Sequence, residues 1–135
     1  MADGGDNVFV YLGGEQVVPG DVTHVIIDRS VKIIPARAFR RRELLASVET
    51  HDELERIGQL AFSNCISLRE INLLGVREVE DAAFNFCSAL TYVEFGNKLD
   101  TIGQEAFEYC VTRCKRLKWY LSGLLKRRHL IIVRS

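Results

Sequence analysis

Four cysteines and three histidines are the side chains of this sequence best suited to bind a soft metal or attack an electrophile, and their spacing decides whether they do either. Cys65, Cys87 and Cys110 are widely separated along the chain, and only Cys110 and Cys114 are near neighbours. A structural zinc site needs four convergent ligands, usually anchored by two cysteines a few residues apart. His24, His51 and His129 stand singly, with no serine or cysteine in a nucleophile setting and no acid at a telling distance. Gly13-Gly14 lacks both the lysine and serine of a phosphate loop and the spacing of a dinucleotide fingerprint, so it reads as a turn. These residues predict no catalytic centre, no metal site and no cofactor. The cysteines read as small buried hydrophobes, the histidines as surface or edge residues.

A repeat sets the elements on which these side chains are carried. The dipeptide Ala-Phe occurs as Ala38-Phe39, Ala61-Phe62, Ala83-Phe84 and Ala106-Phe107, at nearly even intervals. Self-similarity at a fixed period of this length marks a solenoid, in which each unit is one coil that cannot bury its apolar face without a neighbour. Aligned on Ala-Phe, the second unit reads Ile57-Gly58, Ala61-Phe62, Cys65, Leu68, Ile71 and Leu73, and the third Val79, Ala83-Phe84, Cys87, Leu90, Val93 and Phe95. The fourth supplies Ile102, Ala106-Phe107 and Cys110; the first supplies Ile34, Ala38-Phe39, Leu45 and Val48, with Arg42 in the cysteine position. Val22, Val25, Ile27 and Val31 form a half-unit ahead of it, which makes about four coils in all.

Each column has a physical meaning. Ile71 and Leu73 alternate with polar residues, which predicts a short strand with one buried face. Equivalent strands at 25–27, 48–50, 71–73 and 93–95 pair in parallel, because every coil runs the same way round. The spacing of the apolar residues in Ala-Phe-x-x-Cys predicts a short helical or 3₁₀ turn on the opposite side. Phe39, Phe62, Phe84 and Phe107 form an interior spine, with a small alanine beside each ring. Stacking also places Cys65, Cys87 and Cys110 in a column rather than around one point. In Ile34-Pro35, Ile57-Gly58 and Ile102-Gly103 a turn former follows the apolar residue, as at a corner between coil sides.

The pattern Ile-Gly/Pro-x-x-Ala-Phe-x-x-Cys-x-x-Leu-x-x-Val-x-Leu resembles the leucine-rich repeat, and within it the BspA-type class with its Ala-Phe-x-x-Cys signature. The resemblance covers residues 22 to 110. It implies a β-rich α/β solenoid of right-handed coils, each as long as the Ala-Phe interval, acting as an interaction or adhesion surface with no known catalytic site. Departures lie at the ends. Arg40-Arg41-Arg42 replaces the cysteine turn of the first unit, and the register slips after Cys110. A four-residue insertion at Val111 to Cys114 restores it, with Cys114, Leu117 and Tyr120 repeating the spacing of Cys65, Leu68 and Ile71.

The chain of 135 residues is 47% hydrophobic, enough for one continuous core. Residues 1–7 are predicted to be a flexible start, and 8–21 an N-terminal β-hairpin cap in which Val8 to Leu12 and Glu15 to Val18 run either side of Gly13-Gly14. Residues 22–110 are the solenoid, and 111–135 a basic degenerate repeat or C-terminal cap. The first residues carry acids where a secretory signal carries basic ones, and the longest apolar run, Leu130 to Val133, is far short of a membrane span. The expected location is therefore intracellular, most simply cytoplasmic, with reduced thiols.

Net charge is zero but unevenly placed. Residues 1–110 hold ten basic and all eighteen acidic side chains, a balance of −8, whereas 111–135 hold eight basic and none acidic. The tail also carries Trp119, Tyr120 and several leucines, a composition shared by interfacial membrane helices and nucleic-acid contacts. Peripheral membrane or nucleic-acid binding through it is thus the alternative function. The leading one is a non-enzymatic protein-interaction module. In a solenoid the outward strand positions line one docking face. Here they are His24, Ser47, Glu70 and Tyr92 in one column and Ile26, Glu49, Asn72 and Glu94 in the next, suited to a basic protein partner with an apolar anchor.

Overall fold

The computed structural model describes residues 6–110 and the backbone of the strand at 116–118. Strands β1 (Val8–Tyr11), β2 (His24–Ile27), β4 (Ser47–Glu49), β6 (Glu70–Leu73), β8 (Tyr92–Phe95) and β10 (Arg116–Lys118) form one sheet, adjacent in that order. Every pairing in it is parallel. Two-residue strands β3 (Ile33–Ile34), β5 (Arg56–Ile57), β7 (Glu78–Val79) and β9 (Thr101–Ile102) form a second parallel sheet. Among the described residues the chain therefore winds through four complete coils, each passing once through both sheets. The second sheet was not foreseen. A two-residue strand contributes a single inward side chain, too few to register as period-two alternation.

The third side of each coil is a chain of tight turns rather than the helical or 3₁₀ turn predicted, and no helix occurs among the described residues. The amides of Arg37, Phe39 and Arg41 donate to the carbonyls of Gln59, Ala61 and Ser63 in the next coil, at 2.9, 2.8 and 2.8 Å. Those of Ala38, Arg40 and Arg42 donate three residues back, each at 3.2 Å. A helix would keep all of these donors within the segment. Sending alternate ones to the next coil requires left-handed backbone at Arg37 and Arg41, and again at Leu60, Asn64, Ala82, Phe86, Glu105 and Tyr109, where φ lies between 58 and 64°.

The core runs along the axis. Rings of Phe39, Phe62, Phe84 and Phe107 stack nearly parallel at 5.0, 5.1 and 5.1 Å between centroids, and each is at most 4% exposed. Burying a phenylalanine contributes roughly 1.5 to 3 kcal/mol by transfer from water. Ala61, Ala83 and Ala106 fill the space beside the rings, and Val25, Val48, Ile71 and Val93 close the core beneath the large sheet.

The N-terminal end departs from the hairpin expected at 8–21. β1 pairs in parallel with β2, Val8 beside His24 through Tyr11 beside Ile27, and Glu15 to Val18 forms no strand. Gly13 and Gly14 do turn the chain, at φ 88 and 66°, but they send it onward around the coil instead of back along β1. The reason is at Tyr11, buried edge-on against Phe39 with centroids 5.0 Å apart. A parallel β1 lets that ring cover the end of the phenylalanine spine. Asn7, placed in the flexible start, is also fixed: its amide donates to Thr23 Oγ1 at 2.8 Å and its carbonyl accepts from the Thr23 amide at 3.0 Å.

At the other end, β10 sets Leu117 opposite Val93. Leu117 thus takes the register position of Ile71, not that of Leu68, so one extra residue after Cys110 suffices and the four-residue insertion does not hold. The rest of the predicted segment 111–135, and with it the tail-based membrane or nucleic-acid reading, lies outside the described residues, as do residues 1–5 of the predicted flexible start.

Candidate interaction surface

Because strand side chains alternate, the inward columns that build the core fix the outward ones. His24 lies beside Ser47, Ser47 beside Glu70, and Glu70 beside Tyr92; Ile26 lies beside Glu49, and Asn72 beside Glu94. The eight positions read from the sequence therefore stand on one side of one sheet. Glu49, Glu70 and Asn72 are exposed, His24, Ser47, Tyr92 and Glu94 half-buried, and Ile26 is 36% exposed. The Tyr92 hydroxyl donates to Glu94 Oε1 at 3.0 Å, which holds the ring along the sheet. Thr50 Oγ1 donates to the Asn72 carbonyl at 2.5 Å and ties the ends of β4 and β6 together.

The parallel docking of β1 enlarges this face in a way the hairpin reading concealed. Val8 joins the column of His24 and Val10 that of Ile26, both outward and exposed. At the far end β10 places Arg116 beside Tyr92 and Lys118 beside Glu94 in register. From β1 to β8 the face therefore passes from apolar residues to Glu49, Glu70 and Glu94. Along the edge of the sheet a depression of about 430 Å³ is lined by Ser47, Glu49, Thr50, His51, Asp52, Asn72 and Leu74 among others.

The chemistry-bearing side chains fall elsewhere. Cys65, Cys87 and Cys110 are buried, one per coil. Each thiol donates to the phenylalanine carbonyl of the preceding coil: Cys65 to Phe39 at 3.1 Å, Cys87 to Phe62 at 3.0 Å and Cys110 to Phe84 at 3.2 Å. Burial pushes the Cys65 thiol up to about 12 and the Cys87 thiol well above its ordinary value. These sulfurs act as struts between coils, and burial holds Cys65 and Cys87 in the protonated form. His24 lies within 3.1 Å of Thr23 Oγ1, and His51 Nδ1 accepts from the Glu53 amide at 3.1 Å, both local turn contacts. Among the described residues no three ligating side chains gather as a metal would require, and no helix is long and apolar enough to cross a membrane.

A family model for the BspA type leucine-rich repeat region matches residues 20–118 in six copies. Among solved structures, the chain is similar to a leucine-rich repeat protein from Bacteroides ovatus, at 32% identity and a TM-score of 0.64. That match covers 67% of this chain and 24% of the other, so the chain spans about a quarter of that protein's length. No curated protein matches. Repeats of this kind generally serve as protein-interaction modules and are generally non-enzymatic. With the coil period, the Ala-Phe-x-x-Cys turn and the parallel sheets all in place, the chain belongs to the BspA-type leucine-rich repeat family.

Proposed function

We propose that the protein is a non-enzymatic docking module that binds a protein segment across its large sheet, through His24, Ile26, Ser47, Glu49, Glu70, Asn72, Tyr92 and Glu94. The observation that carries this reading is the register of β2, β4, β6 and β8, which lines up exposed carboxylates on a rigid surface beside the apolar Val8, Val10 and Ile26. A partner that fits is basic over a few residues and carries an apolar anchor at one end. Charge of one sign on a fixed face favours fast encounter and excludes acidic competitors more than it adds affinity, and the apolar end supplies desolvation energy.

The test is comparative capture. The full chain and a Glu49→Lys/Glu70→Lys variant serve as baits for proximity labelling, and each candidate partner is then titrated as a purified protein against both. Both substitutions sit on exposed strand positions, so the two baits should melt alike. Partners bound by the parent and lost by the variant support the reading. Partners retained at equal affinity by an equally stable variant remove the strand face from recognition.

A further inference from the structure

The turn-lined side of the coils carries a charge pattern that the strand face does not explain. Its left-handed positions form two columns, Arg37, Leu60, Ala82 and Glu105 in one, and Arg41, Asn64, Phe86 and Tyr109 in the other. Left-handed backbone costs an ordinary side chain about 1 kcal/mol, and asparagine tolerates it best. Asn64 obeys that preference. Phe86 and Tyr109 do not, yet they are 43% and 64% exposed and stack on each other with centroids 4.8 Å apart. Two aromatic rings at strained, solvent-facing positions are a device for contact rather than for folding.

Charge on the same side is split by end. Arg37 and Arg41 are exposed in the first coil; Glu105 and Glu108 are exposed in the fourth. Where opposite charges occupy adjacent coils of this molecule they pair: Arg29 with Asp52 at 3.2 Å, Lys32 with Glu53 at 3.2 Å, Arg56 with Glu78 at 3.1 Å. On the turn-lined side they are three coil steps of about 5 Å apart. That separation exceeds the screening length of about 8 Å at physiological salt. Among the described residues none of these four side chains takes part in an ion pair.

We propose that two copies of the chain associate through this side, antiparallel, about a two-fold axis passing between the second and third coils. Reversing one copy against the other sets Arg37 against Glu105, Arg41 against the Tyr109 ring, Asn64 against Phe86 and Leu60 against Ala82. Each match is made twice, as an isologous interface demands. The guanidinium of Arg41 then lies at the exposed rim of the stacked rings, where the Tyr109 hydroxyl can accept its hydrogen bond, and the charges that cannot reach one another within a chain are satisfied between chains. A parallel two-fold pairing would set arginine on arginine. The face is small, so the dimer is a weak one.

Sedimentation equilibrium of the full chain, over a wide concentration range at low and high salt, tests this. The parent should dimerise, and salt should weaken the dimer. Arg37→Glu alone, or Glu105→Arg alone, should weaken association at least tenfold, because each reversal strikes both symmetry-related pairs. The chain carrying both substitutions should recover it. These exchanges are mild for the fold, since Glu105 and Arg37 already show that each side chain is accepted at this backbone position. A parent that stays monomeric at every concentration overturns the proposal. So does a dimer indifferent to the single reversals, which would point to pairing through the outer edge of β1, or a double reversal that fails to restore what the single ones lose.

Discussion

Arg42 Nε donates to the Val18 carbonyl at 3.1 Å, and in doing so occupies in the first coil the place that the cysteine thiols hold in the later ones. Cys65, Cys87 and Cys110 each reach one coil back, to a phenylalanine carbonyl. The first coil has no such phenylalanine before it, only the loop after β1, and a thiol is too short to cross to that loop. A longer donor at the same position closes the gap, and Arg42 also donates to the Arg40 carbonyl at 3.0 Å. The apparent flaw in the repeat is thus the piece that fastens its end.

Arg42→Ala should therefore loosen the N-terminal end selectively. Loss of charge-assisted hydrogen bonds from a half-buried side chain is expected to cost roughly 1 to 2 kcal/mol. Amide exchange should rise first in β1 and the loop through Val18, while β6 and β8 keep their protection. A uniform rise across all strands would mean that Arg42 supports the whole core and not the end.

The buried thiols make the protein sensitive to alkali. Desolvation raises Cys65 from an ordinary value of 9.0 to about 12, so the folded state holds this proton where the unfolded chain releases it. The associated stability is complete below pH 9 and declines as pH rises from there towards 12, at about 1.4 kcal/mol per pH unit. Urea midpoints at successive pH values above 9 should fall accordingly. Cys65→Ala should flatten part of that decline, at the expense of lower stability near neutrality. An equal slope in parent and variant would show that another group governs the alkaline limb.

Much of this architecture is legible in the sequence, and what is not has a physical reason. The Ala-Phe period and the alternation around Ile71 and Val93 identify the spine and the outward columns, because burial on one face leaves the alternate residues no other place to go. The turn-lined side is ambiguous in sequence because apolar residues at Ala61, Phe62 and Cys65 suit a helical turn and a chain of β-turns equally; only the carbonyls of the next coil distinguish them. The N-terminal segment is equally ambiguous because Val8 and Val10 alternate with Phe9 and Tyr11 identically in a hairpin and in a parallel edge strand. Gly13-Gly14 specifies a change of direction, not its destination. The aromatic pair Phe86 and Tyr109 leaves one faint signal, rings at the phase held by Arg41 and Asn64 in the earlier units, and it gains meaning only with the positive φ values.

The spine itself predicts a graded response to truncation. Phe62 lies between two other rings and is 1% exposed, so Phe62→Ala should cost roughly 3 to 5 kcal/mol by opening a cavity that its stacked neighbours cannot fill. Phe62→Leu should cost less, since most of the volume is kept. Denaturant titrations with unchanged slopes would confirm that both act on one cooperative core. A loss below about 1 kcal/mol for the alanine variant would contradict a continuous stack of this kind.

Gly75 lies in the shortest of the repeats, the step from Phe62 to Phe84, which is tighter than those from Phe39 to Phe62 and from Phe84 to Phe107. Between the strand end at Leu73 and the buried Val76 the chain has one residue fewer than the corresponding stretch from Phe95 to Leu99, yet both stretches pass hard against the coil before, at Gly75 and at Gly96. A side chain here would bring its Cβ to 2.1 Å from the Asp52 carbonyl oxygen and 2.6 Å from the Asp52 carbonyl carbon, both backbone atoms that cannot swing aside. Gly75→Ala should accordingly force β6 and β7 away from the second coil and destabilise the chain by about 1 to 3 kcal/mol, the range typical of overpacking. Calorimetry of the variant beside the parent decides the matter, and an alanine variant as stable as the parent would mean that the glycine does not serve the close approach of two coils.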